Sequence, residues 1–284
     1  MKTSVGVIGL GVLGKPIAGR LIKAGFSVAV FDVRDEPLAA LKSAGATACA
    51  SPAEVAMRAD IIISLVADCA QTDDIVSGAG GILETLRPGA IFVTGSTLGP
   101  APVHRIAASL AAKGCATLDA PISGGYLAAY EGTLSLMIGG AQATLDQALP
   151  VLRAFAKTIT RAGDVGAGQA AKLAHQLVFS VNVMALLEGL SLGVAGGVEP
   201  AVLKQIIREG IANSTVLHLW DDLGPRWKNM LNATAPGTTP PNMRKDLHLV
   251  LELAQELGVD LYIGTQASRI ADAGVATGHA DPRL

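Results

Sequence analysis

Gly9, Gly11 and Gly14 follow one another as G-x-G-x-x-G, a spacing suited to cradling a pyrophosphate. Val5, Val7, Ile8 and Leu10 read as a short buried strand before them. Lys15 to Ala24 reads as a helix after them, with Ile17, Ala18, Leu21 and Ile22 on one face. A strand that turns through glycines into a helix presents backbone N–H groups from Gly9, Leu10, Gly11, Val12, Leu13 and Gly14, together with the positive end of the helix dipole. A second strand, Ser27 to Phe31, runs into Asp32, about 20 residues after the glycines, where a dinucleotide-binding fold places a carboxylate on a ribose 2′-hydroxyl. A carboxylate there repels a 2′-phosphate and favours NAD; Arg34 beside it leaves NADP open.

Other polar groups fall at predicted strand ends or on one helix face. Asp119-Ala-Pro-Ile-Ser-Gly-Gly125 leaves a strand, and Ser123 with the N–H groups of Gly124 and Gly125 suits a carboxylate; an ordinary Pro-Gly turn reads equally well. Ser96 and Thr97 follow another strand, as ligand-facing hydroxyls or as a helix cap. Lys172, His175 and Gln176 are spaced i, i+3 and i+4 and share a helix face. Taken alone, Lys172 reads as a snorkelling surface lysine, and Lys245-Asp246 as an exposed ion pair.

The elements that must position these groups come in two styles. Up to Gly163 strands alternate with helices. Ala59 to Val66, Ala90 to Thr94, Ala116 to Ala120, Leu134 to Ile138 and Lys157 to Thr160 follow the first two strands, with helices such as Pro102 to Ala112 and Ala143 to Phe155 between. That alternation predicts a parallel sheet covered on both faces. From Gln169 the pattern is helical only: Gln169 to Ala195, Pro200 to Glu209, Ser214 to Trp220, Pro241 to Leu257 and Leu261 to Ala273, with a mobile surface loop expected over Asn232 to Thr239. The expected architecture is therefore α/β, a Rossmann dinucleotide-binding domain over 1–163 and an all-helical domain over 164–284 for substrate binding and dimerisation.

Composition narrows the class. The chain has 284 residues, 50% hydrophobic and 16% charged, with a formal net charge of −2. No long basic run is present, which argues against nucleic acid. Cys49, Cys69 and Cys115 are odd in number and lack metal spacing, so no metal is expected and a reducing compartment, the cytoplasm, is. The chain runs directly into its first strand, which predicts no signal peptide. Gln176 to Val198 is apolar enough to resemble a membrane span, but Asn182, Glu188 and four glycines interrupt it, so no membrane partner is expected. Its apolar residues extend round more than one face, which predicts a homodimer or homotetramer.

The order of these motifs resembles the β-hydroxyacid dehydrogenase family, which includes 3-hydroxyisobutyrate, tartronate-semialdehyde and threonate dehydrogenases. GLGVLG resembles its glycine fingerprint. DAPISGG, followed by Glu131-Gly-Thr-Leu134, resembles its substrate motif. GAGQAAK resembles its catalytic segment, and Lys245-Asp246-Leu247 its late lysine motif. The resemblance implies hydride transfer between NAD(P) and a small 3-hydroxy acid. Lys172 would be the general acid–base; Ser123, Gly124, Gly125 and Gln176 would hold substrate, and Lys245, Val66 and Thr97 would line the cofactor site. Two departures touch the substrate: His175 and Gln176 replace the family's usual asparagines, and Tyr126 replaces a small or aliphatic residue. An imine reductase on the same fold and a catalytically silent NAD-binding protein are the alternatives; Lys172 and Asp32 point away from the first.

Overall fold

Side-chain alternation decides which layer each strand residue joins. In β4 (Ile61–Ser64), Ile61 and Ile63 enter one core layer and Ile62 the other. β1 (Ser4–Ile8) and β5 (Ile91–Thr94) divide likewise, Val5, Val7, Ile91 and Val93 against Ile8 and Phe92. Strands buried on both faces need helices on both sides, and the chain supplies them. One layer takes apolar residues from α1 (Gly14–Lys23), α2 (Asp35–Ser43), α6 (Gly125–Glu131) and α7 (Gln142–Leu152). The other takes them from α3 (Pro52–Arg58), α4 (Cys69–Ser77) and α5 (Pro100–Ala111).

The computed structural model describes residues 3–219 and 241–273. The chain divides into two compact units, Met1–Lys172 and Leu173–Leu284. The remaining strands are β2 (Ser27–Phe31), β3 (Thr47–Ala48), β6 (Ala116–Asp119), β7 (Ile122–Ser123), β8 (Leu134–Gly139) and β9 (Ala156–Gly163). They form one sheet in the order β3-β2-β1-β4-β5-β6-β8-β7, with β9 on β8. From β3 to β6 all pairs are parallel, the doubly wound arrangement expected.

The fully parallel sheet is corrected beyond β6. β8 runs antiparallel to β6 and to β7, and only β9 on β8 is parallel again. The cause is the short link: α6 ends in a left-handed Gly132 and turns the chain straight back, whereas a parallel return needs a crossover of roughly a dozen residues or more. Boundaries also move. The strand read as Ala59 to Val66 covers Ile61–Ser64, and that read as Lys157 to Thr160 extends over Ala156–Gly163.

In the second unit the described elements are helices: the continuation of α8 (Ala167–Ala195), then α9 (Pro200–Glu209), α10 (Thr215–His218), α11 (Pro241–Leu257) and α12 (Tyr262–Ala273). Val183, Leu187 and Leu190 of α8 pack with Leu217, Met243, Leu247, Ala267 and Ala271. Helix α8 is long and apolar enough, by length and composition, to cross a membrane, with a mean hydropathy of 1.8 in its most apolar stretch. The loop expected at 232–239 and Trp220 lie outside the described residues.

Phe92 is fully buried at the centre of the sheet. Phe92→Ala is expected to remove about 3–5 kcal/mol of stability, transfer loss plus cavity, read as a lower urea midpoint at unchanged slope.

Candidate active site

The predicted cofactor and substrate groups of the first unit converge on the carboxyl edge of the parallel strands. The glycine turn follows β1, Asp32 follows β2, Val66 follows β4, Ser96 and Thr97 follow β5, and Asp119 ends β6. Strand order reverses between β1 and β4, and the crevice outside such a reversal is where doubly wound folds take ligands.

The turn itself fits a pyrophosphate. Gly9 has φ +88°, and a Cβ there would meet the Leu65 carbonyl at 2.9 Å. A Cβ on Gly14 would collide with the Gly9 carbonyl, so helix and strand come together only without one. Over Gly11 the space is open, with nothing within 4 Å of a Cβ position. Leu13 caps α1 without a side-chain hydrogen bond, and no acidic residue stands in the first turn to compete with an anion. Val12 is exposed beside the turn.

Asp32 is buried and bonded into this turn. Its Oδ2 accepts the Leu10 N–H at 2.6 Å, and Arg34 grips both oxygens, Nε to Oδ1 at 2.9 Å and Nη2 to Oδ2 at 3.1 Å. Burial pushes the carboxyl up; the Arg34 side chain, the N–H groups of Leu10 and Arg34 and the guanidinium charge outweigh that and hold it below its ordinary value.

On the β5 side, Ser96 Oγ donates to the Val66 carbonyl at 2.6 Å and ties two strand ends together. Neither Ser96 nor Thr97 caps the next helix. Gly99 does, and α5 begins at Pro100, two residues before the predicted start. Ser123 ends β7, Gly124 caps α6 and Gly125 is its first residue, so the loop is a strand-to-helix corner with φ +125° and +69° at the two glycines. Tyr126 stacks on Tyr130, ring centroids 6.4 Å apart, and both rings stay exposed.

Two buried side chains that the sequence reading did not single out fix the start of α8. Asp119 accepts the Gly166 N–H on Oδ1 at 2.7 Å and the Gln169 N–H on Oδ2 at 2.8 Å. Gln169 Oε1 accepts from the N–H groups of Leu98 and Gly99, at 2.9 and 3.2 Å, and its Nε2 donates to the Ser96 carbonyl at 3.0 Å. Burial pushes the Asp119 carboxyl above its usual value, and the N–H groups, those of Gly166 and Gln169 foremost, only partly offset this. Helix α8 therefore begins at Ala167 rather than Gln169. Lys172, one turn beyond Gln169, is 6% exposed, which removes the snorkelling surface reading. The missed signal was an Asp at a strand end and a Gln at a helix start. Both are polar residues where burial demands partners, but those partners lie 47 to 73 residues away.

Within the second unit, Gln176 Nε2 donates to Asp246 Oδ2 at 2.6 Å, and His175 Nδ1 lies 3.1 Å from Gln176 Oε1. Lys245 Nζ stands 3.2 Å from Asp246 Oδ1. Asp246 is 4% exposed, so its pair with Lys245 is not the surface contact the sequence suggested.

Comparison with known proteins decides the family. Residues 4–163 match the NAD binding domain of 6-phosphogluconate dehydrogenase, and residues 166–282 match the NAD-binding domain of NADP-dependent 3-hydroxyisobutyrate dehydrogenase. The chain belongs to the β-hydroxyacid dehydrogenase family. It is an NAD(P)-dependent dehydrogenase with a Rossmann domain followed by a helical region. The 2-(hydroxymethyl)glutarate dehydrogenase of Eubacterium barkeri is 34% identical over 96% of this chain and 90% of its own length. The solved Mycobacterium tuberculosis 3-hydroxyisobutyrate dehydrogenase with L-serine gives a TM-score of 0.82 at 28% identity, covering 99% of this chain and 96% of that one. A Myxococcus stipitatus imine reductase variant with NAD+ shares the fold alone, at TM-score 0.69 and 22% identity, over 99% of this chain and 96% of that one.

Because the Asp32 carboxyl is held below its unfolded value of 3.8, its contribution to stability is present above that pH and is lost as pH falls through the lower folded value. Urea unfolding at pH 7 and pH 3 is expected to show a smaller acid-induced loss in Asp32→Asn than in wild type. Equal losses would remove this role for the carboxylate.

Proposed function

We propose that the protein oxidises the hydroxyl carbon of a small 3-hydroxy acid to the corresponding aldehyde or ketone, or runs the reverse reduction, with NAD preferred and Lys172 as general acid–base. The observation that carries this reading is the burial of Lys172 one turn into a helix whose first turn is anchored to the sheet's ligand-binding edge by Asp119 and Gln169. A lysine acting as general base takes the substrate proton on its amine.

The glycine turn would hold the dinucleotide's pyrophosphate, Asp32 its ribose, and Val66, Thr97 and Lys245 would line its nicotinamide end. When bound, the cofactor supplies hydride chemistry. The protein's own part is orientation and proton transfer. Ser123 Oγ and the N–H groups of Gly124 and Gly125 would bind the substrate carboxylate. Gln176 and His175 would face its polar substituents, and Tyr126 would bound its size. L-Serine and 2-(hydroxymethyl)glutarate, in the relatives' names, both carry a hydroxyl on the carbon β to a carboxylate, which supports the choice of a 3-hydroxy acid.

The NAD preference rests on Asp32. A 2′-phosphate would approach a carboxylate, and the Arg34 guanidinium that could offset this is already paired with Asp32 through two of its N–H groups. We also infer a homodimer or homotetramer, because Val178 and Leu192 of α8 are 60% and 76% exposed.

Turnover would be followed by cofactor absorbance across 3-hydroxyisobutyrate, glycerate, threonate, L-serine, 3-hydroxypropionate and 4-hydroxybutyrate. Lys172→Ala is expected to bind NAD as wild type does and to lose about 10²–10⁴ in kcat; near-normal turnover would refute the lysine's role. Wild-type kcat/KM is expected to be higher with NAD than with NADP, and Asp32→Ala to narrow the gap; a wild-type NADP preference would overturn the assignment. Sedimentation at micromolar concentration is expected to show a species larger than the monomer.

A further inference from the structure

One peptide unit at the head of α8 is gripped by a side chain at each end. The Val165 carbonyl lies 2.7 Å from His104 Nε2, and the Gly166 N–H of the same peptide donates to Asp119 Oδ1 at 2.7 Å. In a trans peptide the C=O and the N–H point to opposite sides, so His104 on α5 and Asp119 on β6 hold it from opposite directions. A carbonyl oxygen only accepts, so His104 Nε2 carries the hydrogen of this bond. These residues all lie in the first unit, as does Lys172.

The gripped peptide sits where the backbone is freest to turn. Gly166 has φ +93°, a conformation that residues with a side chain rarely adopt. The imidazole occupies the space a side chain would need, because a Cβ on Gly166 would collide with His104 Nε2 and stand 3.0 Å from Cε1. A peptide flanked by glycine rotates at little cost, so its direction has to be set from outside. Asp119 sets the N–H end and His104 the C=O end. Helix α5 also meets the head of α8 a second time, since Gln169 Oε1 accepts the N–H of Gly99, the residue that caps α5.

We propose that His104 is a positioning residue. By clamping the Val165–Gly166 peptide against Asp119, it sets the direction in which α8 leaves β9 and so the placement of Lys172. The proposal rests on Lys172 being the acid–base group. Lys172 follows the first residue of α8 by about 7.5 Å along the axis, at a rise of roughly 1.5 Å per residue, so a small turn of the peptide before the helix displaces it. Misplacement of a reacting group by about 1 Å can cost on the order of 10² in rate. His104 moves no proton in this role. A neutral ring with its hydrogen on Nε2 and an imidazolium both donate to a carbonyl, so the clamp holds in either form. The bond is exposed, so its removal hands the Val165 carbonyl to water and leaves no buried group unpaired. The fold is therefore expected to survive the loss of His104.

His104→Leu removes the donor, and His104→Gln keeps an N–H donor at nearly the same reach. Backbone amide exchange of the full-length protein over residues 164–172, followed by mass spectrometry, tests the clamp without turnover. It is expected to be faster in His104→Leu than in wild type and to return to the wild-type rate in His104→Gln. With the fastest-turning acid of the panel, His104→Leu is expected to lower kcat about tenfold, with KM for NAD and the urea midpoint close to wild type. His104→Gln is expected to restore most of that loss. The factor lost is expected to be the same at pH 6 and pH 9. Unchanged exchange in His104→Leu overturns the clamp. An unchanged kcat in His104→Leu beside an inactive Lys172→Ala overturns the positioning role and leaves the lysine reading intact. A loss that changes with pH, or that His104→Gln does not restore, also overturns it. A fully active Lys172→Ala enzyme overturns the lysine reading and the positioning role together.

Discussion

A buried carboxylate at the head of a long helix is the interaction on which the candidate active site depends. Asp119 ends a strand in the middle of the sheet and takes N–H groups from Gly166 and Gln169, where α8 would otherwise leave donors unsatisfied. Its charge also opposes the positive end of that helix's dipole. Burial raises the cost of holding this carboxylate ionised, and the fold tolerates the cost because its lone pairs are used. Gln169 adds the second tie, its amide bridging the backbone after β5. Both ties fall on the first turn of α8, which is thereby bonded to the ends of β5 and β6. Lys172 lies three residues on and is buried.

The residues after successive strands differ in chemistry along this edge. β1, β2 and β4 end in the glycine turn, Asp32 and Val66, which suit a dinucleotide. β5, β6 and β7 end in Thr97, Asp119 and Ser123, which suit the positioning of a small acid and of the helix that carries the lysine. Parallel strands are what make this possible, since every carboxyl end lies on one side. The antiparallel β8 comes after the last of these groups and closes the sheet without having to place one.

Local patterns carried most of the architecture in the sequence. The glycine turn, the two-faced strands such as ADIIISLV and the shift to helices after Gly163 are each set by residues close together in the chain. The antiparallel return of β8 was hidden because a strand's direction depends on the length of the link before it, and α6 did not stand out as a helix in GGYLAAYEG. Asp119 and Gln169 escaped for a different reason. Their importance lies in partners distant in sequence, and a lone Asp or Gln carries no mark of them. For Lys172 the residues near it suggested a surface side chain, and only family resemblance pointed elsewhere; its burial is a tertiary fact. The ordering of His175, Gln176 and Asp246 likewise needs a contact across 70 residues that no local pattern encodes.

The bond from the Leu10 N–H to Asp32, with Arg34 on the same carboxylate, joins the glycine turn to the end of β2 through the protein's own groups. The glycine turn and the end of β2 are thus tied to each other by internal bonds, and segments tied in this way have little chain freedom left to lose on binding. An assembled surface of this kind spends its binding energy on discrimination instead of on ordering itself. Such a tie also makes the backbone of the glycine turn depend on a side chain 22 positions away, so a change at Asp32 reaches the Leu10 N–H directly.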